Sequence, residues 1–166
     1  METDKEDGYP VRMRTTLDDF DLRILRTLQA HGDVSMAELG ERVGLSHTPC
    51  WRRVKNLEAA GFIRDRVVLL DPDRLGLSVN VFVEVHLKAH DEDSLNAFEA
   101  AVQAIDEVVE CYTVSGEKDF LLRVVVPDVA AYEKLLKERL VHIPGAGSLS
   151  STFALRQVKY TTRLPL

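Results

Sequence analysis

The chain has 166 residues, of which 45% are hydrophobic and 29% charged, and its formal net charge is −6. This composition is typical of a soluble globular protein of one or two domains, and no apolar run approaches the roughly 20 residues that a membrane helix needs. Because the first ten residues are acidic and polar and the two cysteines lack zinc-site spacing, we expect a cytoplasmic protein without a membrane partner, cofactor or metal.

The negative charge is unevenly distributed along the chain. Residues 1–11 carry a net charge of −3, whereas residues 12–70 hold ten basic and eight acidic side chains, a net charge of +2. Residues 71–166 hold ten basic and fifteen acidic side chains. Only the middle segment can therefore approach phosphate without net repulsion, although an excess of +2 is a weak indication by itself.

Three helices are predicted in the first half of the chain. Apolar residues at helical spacing predict a first helix over residues 17–29. A second helix begins at Ser35, where the run Ser-Met-Ala-Glu has the form of a capping box, and a third is predicted over residues 46–60. Because only residues 44–46 join the last two helices, they must cross steeply, as in a helix-turn-helix that sets its second helix into a major groove.

Helical periodicity gives the third helix two opposite faces. At about 100° per residue, Cys50, Val54 and Leu57 share the face that packs inward. The opposite face presents Arg, Asn, Lys and Thr, which bind guanine, adenine, phosphate or a base methyl; an ordinary solvated basic face is the alternative. The predicted DNA-binding residues are Ser46, His47, Thr48, Trp51, Arg52, Lys55 and Asn56, with Arg53 on the flank and Arg64 and Arg66 on backbone phosphate.

The second half of the chain has a different pattern of apolar residues. Residues 62–70 are predicted to form a strand and tight turn, and the Asp-Pro-Asp run that follows marks a linker. Beyond the linker, the order of predicted elements is β-α-β-β-α-β, a ferredoxin-like arrangement. Strands are predicted over residues 79–88, 108–115, 119–126 and 151–161, and helices over residues 93–105 and 128–141.

The predicted fold class is therefore α+β, a winged helix-turn-helix followed by a ferredoxin-like, ACT-like domain. Domains of the second kind occur both in small metabolic enzymes and in amino acid-binding modules, so the fold alone does not determine function. The predicted segments are a flexible N-terminal arm over residues 1–15, the helix-turn-helix domain over 16–63, a wing and linker over 64–78, and the second domain over 79–166.

Catalytic and metal-binding motifs are absent from the sequence. There is no GxGxxG, P-loop, HExxH or GxSxG motif. His86 and His90 flank Lys88 near the end of a predicted strand, where a solvated edge is favoured over a metal site. Cys111 lies in an apolar strand and is expected to be a small core residue. A small metabolic enzyme and a DNA-organising protein without an effector are the alternative functions.

Motifs in both halves of the chain resemble those of one protein family and occur in the same order. They include Leu17-Asp18-x-x-Asp21-x-x-Ile24-Leu25, Val43-Gly44-Leu45-Ser46-x-Thr48-Pro49-Cys50, Val114-Ser115-Gly116-x-x-Asp119-Phe120 and Ile143-Pro144-Gly145. This pattern resembles the Lrp/AsnC, or feast/famine, regulators, and the likeness omits only about fifteen N-terminal residues. The resemblance implies a sequence-specific DNA-binding transcription regulator whose assembly or DNA affinity responds to a small effector, an amino acid.

The resemblance also implies an assembly and a ligand site. Family members form dimers, often joined as octamers of four dimers, and bind the effector between dimers through the second, RAM-type domain. The family's Gly-Asp-x-Asp turn reads Gly-Glu-Lys-Asp at residues 116–119; such a turn offers amides and a carboxylate to an amino acid, or is simply a hairpin turn. The implied effector residues are Val114, Ser115, Gly116, Glu117 and Asp119, with Ser151 and Phe153 on the facing dimer.

Overall fold

The computed structural model describes residues 16–166, and the predicted arm over residues 1–15 lies outside them. The chain divides into a helical unit and an α+β unit, and each has its own hydrophobic core. In the part of the chain that the structure describes, no helix has both the length and the apolar character needed to cross a bilayer.

The last residues of the chain return to the helical unit. Within the described range, this unit contains residues 16–68 together with Tyr160–Leu166, while Leu69–Lys159 form the α+β unit. The Gln29 side chain donates to the Leu164 carbonyl oxygen and accepts from the Leu164 N–H. Backbone groups near the C-terminus therefore bond to side chains of the first helix.

Three helices build the helical unit in the predicted order: α1 at Asp19–Ala30, α2 at Met36–Val43 and α3 at His47–Ala59. Their apolar residues recur every three or four positions, so each helix buries one face against the other two. The resulting core consists of Ile24, Leu25, Val34, Leu39, Val43, Cys50, Val54 and Leu57.

The helix caps differ from the prediction. A complete capping box begins α1, where Asp18 and Asp21 each accept from the backbone N–H of the other. At α2 only half of the predicted box forms, because Ser35 accepts from the Glu38 N–H while the Glu38 carboxylate lies near the Ser35 hydroxyl. Both helices still begin at a residue whose side chain satisfies a free amide.

The strand predicted over residues 62–70 is wrong for the single chain. Residues 64–70 have no regular secondary structure, and only Gly61 and Ile63 of this region are partly buried. A strand needs a neighbouring strand to take its hydrogen bonds, and the described part of the helical unit contains helices only. The apolar run Val67–Leu70 is consequently exposed, with Val68 84% accessible.

The α+β unit alternates strands and helices as predicted, which confirms the fold class. Its elements are β1 at Val79–Leu87, α4 at Glu92–Gln103, β2 at Val108–Thr113, β3 at Phe120–Val126, α5 at Val129–Glu138, a 3₁₀ turn at Leu140–His142 and β4 at Ala146–Phe153. All pairings are antiparallel and the strand order is β2-β3-β1-β4, so β1 lies between β3 and β4.

Alternation along the strands gives the sheet one covered and one open face. In β1 the residues Val81, Val83 and Val85 are fully buried, whereas Phe82 and Glu84 are exposed. The covered face packs against Phe98 and Val102 of α4 and against Tyr132 and Leu135 of α5, so both helices lie on one side.

The last strand begins earlier than the predicted range of residues 151–161. β4 pairs with β1 from Ala146, and a Cβ on Gly147 would lie 2.8 Å from the His86 carbonyl oxygen. Gly147, which has no Cβ, therefore permits a close approach to β1. The strand ends at Phe153, and one more hydrogen bond follows, from the Ala154 N–H to the Asn80 carbonyl oxygen, close to Val79, where β1 begins.

Cys111 is exposed, so its prediction as a core residue is wrong. It lies on β2, an edge strand, opposite Leu122 of β3. Partial desolvation and the nearby Glu99 carboxylate raise the pKa of its thiol. β2 has a neighbouring strand on one side only, and no element of the described chain covers its other side. Cys111 is therefore exposed although the strand around it is apolar.

Candidate DNA-binding face and ligand turn

Two glycines fix the turn between α2 and α3. Gly44 ends α2 with a φ of +76°, in the left-handed region that glycine adopts without strain. Gly40 is buried, and a Cβ on it would lie only 2.6 Å from the Leu45 carbonyl oxygen. This close backbone approach holds the start of α3 against α2, and so determines which side of α3 faces outward.

The predicted burial of α3 is confirmed. Cys50, Val54 and Leu57 are at most 4% exposed. The opposite side, which we call the recognition face, consists of the exposed residues Thr48, Arg52, Lys55 and Asn56. Ser46 and His47 are exposed at the start of the helix, where the Ser46 hydroxyl bonds to no amide of α3.

Arg53 is anchored within the helical unit, unlike its neighbour Arg52. Its Nη1 lies 2.8 Å from Asp18 Oδ2 and 2.7 Å from Asp21 Oδ1. Hydrogen bonds to Asp21 and Asp18 raise the pKa of Arg53, and the Asp21 amide, helped by Arg53, lowers the pKa of Asp18. Arg53 therefore ties α3 to the cap of α1 and is not available to a ligand of the recognition face.

The Glu58 carboxylate forms ion pairs with two of the predicted phosphate-binding cations. Its Oε2 lies 2.7 Å from Lys55 Nζ, and its Oε1 lies 3.7 Å from Arg66 Nη2. Arg52 and Arg64 form no ion pair with any residue of the described range 16–166. Arg52 is thus the cation of the recognition face whose donors are not engaged by a carboxylate.

Trp51 is 48% exposed on the flank of the recognition face. It lines a shallow groove between α3 and the segment after it, together with Met36, Val54, Lys55, Glu58 and Arg66. A second hollow beside it is lined by Glu58, Ile63, Arg64, Asp65 and Arg66. Arg64 and Arg66 therefore lie on the same side of the helical unit as Lys55, which is the placement that the phosphate-binding prediction requires.

The connection between β2 and β3 carries the first group of predicted effector residues. We call residues 114–119 the effector turn. The Val114 N–H donates to the Asp119 carbonyl oxygen at 2.9 Å, which closes the turn. Gly116 has a φ of +125°, a conformation that strains other residues. Ser115, Gly116 and Glu117 are exposed, so the turn presents polar groups to solvent.

Asp119 joins the effector turn to β1 and to the loop after it. Its Oδ2 accepts from the Leu87 N–H at 2.7 Å and lies 3.0 Å from His86 Nδ1. Its Oδ1 lies 2.9 Å from His90 Nε2. The Leu87 amide is the main cause of the lowered pKa of Asp119, and the two histidines add to it. Both carboxylate oxygens are therefore engaged within the chain.

Ser151 and Phe153 lie apart from the effector turn. Both are on β4 and contact Tyr132 of α5, Ser151 by a hydroxyl–hydroxyl hydrogen bond and Phe153 edge-on at 5.2 Å between ring centroids. Phe153 pairs with Val81, whereas the effector turn joins the sheet beside Val85. Four residues of β1, about 13 Å, separate Phe153 from the position of the turn, whereas Ser151 pairs with Val83 and is nearer along the strand. Both residues lie on β4, across β1 from the strand that follows the turn.

Three contacts of the predicted site residues were not predicted from the sequence. Glu58 was not connected with Lys55, although their i,i+3 spacing on a helix was a usable signal. Alternation places His86 on the open face of β1, and the register of β3 then brings Asp119 beside it. No signal in the sequence pointed to Tyr132, because its contact with β4 depends on the packing of α5 on the sheet.

Two family models match the chain. A winged helix-turn-helix DNA-binding model matches residues 17–64, and a model of the Lrp/AsnC ligand-binding domain matches residues 80–164. The first span contains α1, α2 and α3, and the second contains the whole antiparallel sheet except its first residue. The recognition face thus lies in the region matched by the DNA-binding model, and the effector turn lies in the region matched by the ligand-binding model.

Individual relatives extend over nearly the whole chain. Leucine-responsive regulatory proteins of Salmonella typhimurium and Escherichia coli K12 are each 45% identical over 148 residues, which are 89% of this chain and 90% of theirs. A transcriptional regulator of Neisseria meningitidis, solved in complex with L-Met, has a TM-score of 0.86 at 37% identity.

An AsnC family transcriptional regulator from Agrobacterium tumefaciens has a TM-score of 0.85 at 46% identity. For both solved structures the match covers 90% of this chain and 97% of the other. All of these relatives are regulatory proteins, and the small metabolic enzyme considered from the sequence has no counterpart among them.

Proposed function

Since the chain belongs to the Lrp/AsnC family of transcriptional regulators, we propose that its recognition face reads DNA bases and that its effector turn binds an amino acid. The protein is a sequence-specific DNA-binding regulator, not an enzyme, and its second unit is a ligand-binding domain through which a small effector modulates it. The proposal concerns which residues carry these two activities.

One observation carries the DNA-reading proposal: Arg52 projects from the exposed side of α3 without a carboxylate partner in the described chain. A guanidinium in this position offers two parallel donors to a guanine edge in the major groove. Thr48 and Asn56 lie on the same face, one turn to either side, and supply contacts to a thymine methyl and an adenine edge.

The remaining predicted residues surround this face and position the duplex. Ser46 and His47 lie at the N-terminus of α3, where backbone amides and an unbonded hydroxyl favour a phosphate. Lys55 and Arg66 supply positive charge along the groove that Trp51 lines, and Arg64 along the hollow beside it. These contacts hold the protein in register but do not specify sequence.

The test is the Arg52→Ala variant, measured against an operator selected from random duplexes by the wild-type protein. We expect the preference for operator over random DNA to fall by about 1–3 kcal/mol, because Arg52 reads a base. Lys137→Ala, which removes the same charge from α5, is the matched control and should leave both affinities unchanged. An equal loss on operator and random DNA would make Arg52 a phosphate contact instead.

For the effector we propose an amino acid with an aliphatic side chain. Two relatives support this class: one group is named leucine-responsive and another protein was solved with L-Met. In the effector turn, the backbone around Gly116 can bind the carboxylate of the amino acid while Glu117 and Asp119 accept from its ammonium group. Ser151 and Phe153, which lie on β4 rather than in the turn, would come from a facing dimer, as the family resemblance implies.

Calorimetric titration with leucine and methionine tests this site. We expect Asp119→Asn to weaken amino acid binding at least tenfold, since it removes the negative charge while keeping an oxygen that can accept from Leu87. The matched control is Asp106→Asn, an exposed carboxylate in the loop between α4 and β2. Binding by Asp119→Asn equal to that of the wild type would show that Gly116 and Asp119 only shape a hairpin.

We further propose a homodimer and, from it, an octamer of four dimers, in the bacterial cytoplasm where the DNA lies. The exposed apolar run Val67–Leu70, with backbone groups unpaired in a sheet, and the exposed Phe82 on the open sheet face support self-association. Sedimentation velocity with and without leucine measures the assembly. A monomer at micromolar concentrations would contradict the dimer.

A further inference from the structure

We propose that His86, His90 and Asp119 form a binding site for a divalent transition metal ion such as Zn²⁺. The three side chains come from β1, from the loop after β1 and from the end of the effector turn. Their ligand atoms, His86 Nδ1, His90 Nε2 and an Asp119 carboxylate oxygen, all lie within 4.8 Å of one another. The site shares Asp119 with the proposed amino acid site, but His86 and His90 belong to the metal site alone, so substitutions of the two histidines test it separately.

The spacing of the three ligand atoms is close to what a metal ion requires. Zinc bonds to nitrogen and oxygen are about 2.0–2.2 Å long, so ligand atoms of a tetrahedral site lie about 3.3 Å apart. The Asp119 oxygens are already 3.0 Å from His86 Nδ1 and 2.9 Å from His90 Nε2. Small rotations of the side chains would lengthen these two distances by a few tenths of an ångström and bring the three ligand atoms, which lie within 4.8 Å of one another, around one ion.

Two of the three ligands are held by the sheet, and the third can adjust. His86 pairs with Ser148 across β1 and β4. Asp119 is fixed by its own N–H, which donates to the Val85 carbonyl oxygen, and by the Leu87 N–H on its carboxylate. Hydrogen bonds of this kind commonly hold and orient the ligands of a metal site. The side chain of His90 is 60% exposed in a loop, so its ring can move.

The side chain of Lys88 begins on the side of β1 where β4 lies. A Cβ on Gly147 would lie 3.3 Å from Lys88 Cγ, so the aliphatic part of the lysine lies against β4. Asp119 adjoins the other edge of β1, where β3 pairs with it. The lysine stem and the carboxylate ligand therefore lie toward opposite edges of β1.

The donor set selects a class of ion. Two imidazole nitrogens and one carboxylate suit Zn²⁺, Co²⁺ or Ni²⁺, whereas Mg²⁺ and Ca²⁺ prefer oxygen ligands throughout. Three protein ligands leave a fourth position for water or another donor. All three residues are at least partly exposed, so an ion can enter from solvent.

The test is calorimetric titration of untagged, chelator-treated full-length protein with Zn²⁺ alone, supported by the visible spectrum of the Co²⁺-loaded protein. We expect one ion per chain. Loss of a group that only hydrogen-bonds to a metal ligand weakens metal binding by about 10–100-fold. Loss of a ligand itself should do at least as much, so His86→Ala and His90→Ala should each weaken Zn²⁺ binding at least tenfold. The Co²⁺ spectrum should change in both variants.

Two matched controls separate this site from incidental binding. His142→Ala removes an exposed histidine elsewhere in the α+β unit, and Cys111→Ser removes the exposed thiol; both should bind Zn²⁺ like the wild type. Circular dichroism verifies that each variant is folded. Equal Zn²⁺ binding by the wild type and by the folded His86→Ala/His90→Ala double variant would overturn the proposal, as would the absence of Zn²⁺ uptake by the wild type.

Discussion

The recognition face and the predicted effector residues differ in how one chain assembles them. Thr48, Arg52 and Asn56 lie on a single helix, and the burial of Cys50 and Val54 on its opposite side orients them. The predicted effector residues lie in the turn between β2 and β3 and on β4, and each group is held by different neighbours. The recognition face therefore follows from one helix, while the predicted effector residues come from segments that are distant along the chain.

This difference separates two kinds of constraint. A helix face follows from a periodicity of 3.6 residues, so a local pattern determines both its core and its outer surface. A site on a sheet also depends on strand register and on which elements pack against each face. Substitutions in the first region should therefore act through helix packing, and those in the second through contacts between distant segments.

The largest expected effect is that of Gly40→Ala, which tests whether packing at the turn orients the recognition face. The new Cβ would lie 2.6 Å from the Leu45 carbonyl oxygen, so the backbone of α2 or of the turn must move. We expect a loss of about 1–3 kcal/mol in the free energy of unfolding, together with weaker operator binding. Urea unfolding followed by Trp51 fluorescence measures the helical unit, since Trp51 is the only tryptophan in the chain.

Gly32→Ala provides the matched control for the same unit. A Cβ at that position would have the Leu28 carbonyl oxygen at 4.0 Å, an ordinary contact. Its stability and operator affinity should remain those of the wild type. If Gly40→Ala unfolded at the same urea concentration as Gly32→Ala, the close approach of α2 to the turn would not constrain α3.

The sequence predicted most of the local structure of both units, including the buried face of α3 and the order of strands and helices. It failed where partners are distant along the chain. The segment at residues 62–70 has strand composition but no strand beside it in the described chain, and β4 includes Gly147 because β1 approaches closely there. Periodicity placed Arg53 beside the recognition face, but its ion pairs with Asp18 and Asp21 could not be predicted from the sequence.

The second prediction concerns Tyr132 and Ser151, whose hydroxyl groups bond to each other between α5 and β4. If Ser151 is held there as part of the fold, Tyr132→Phe and Ser151→Ala should each destabilise the α+β unit by about 1 kcal/mol. The double variant should lose little more than either single variant. Thermal unfolding followed by circular dichroism supplies the double-mutant cycle. Additive losses would show that the two hydroxyls act independently.

Glu58→Gln tests the ion pairs beside the recognition face and should have a smaller effect. Releasing Lys55 and Arg66 from Glu58 lets at least one more cation meet phosphate. Binding to random DNA should strengthen severalfold at low salt, and the slope of log K against log salt should steepen by about 1. Fluorescence anisotropy over a salt series measures both quantities.

The control for Glu58→Gln is Glu133→Gln, which releases Lys137 from an equivalent ion pair on α5. It changes the net charge equally but lies in the α+β unit, so its salt slope should equal that of the wild type. A slope that steepens equally in both variants would indicate a general charge effect rather than contacts of Lys55 or Arg66 with the duplex.

The smallest expected effect is the pH dependence that Asp18 contributes to the helical unit. The pKa of Asp18 is lowered by the Asp21 amide and, further, by Arg53. Its carboxylate therefore stabilises the fold above the ordinary pKa of about 3.9, and this contribution is lost as the pH falls through the lower folded value. Asp18→Asn keeps an oxygen for the cap but removes the charge. Trp51-monitored unfolding should show the variant less stable than the wild type at pH 6, with the gap closing in acid. Asp33→Asn, an exposed carboxylate with no ion pair in the described chain, should show no gap at either pH, and a gap that persisted in acid would exclude the charge of Asp18 as its cause.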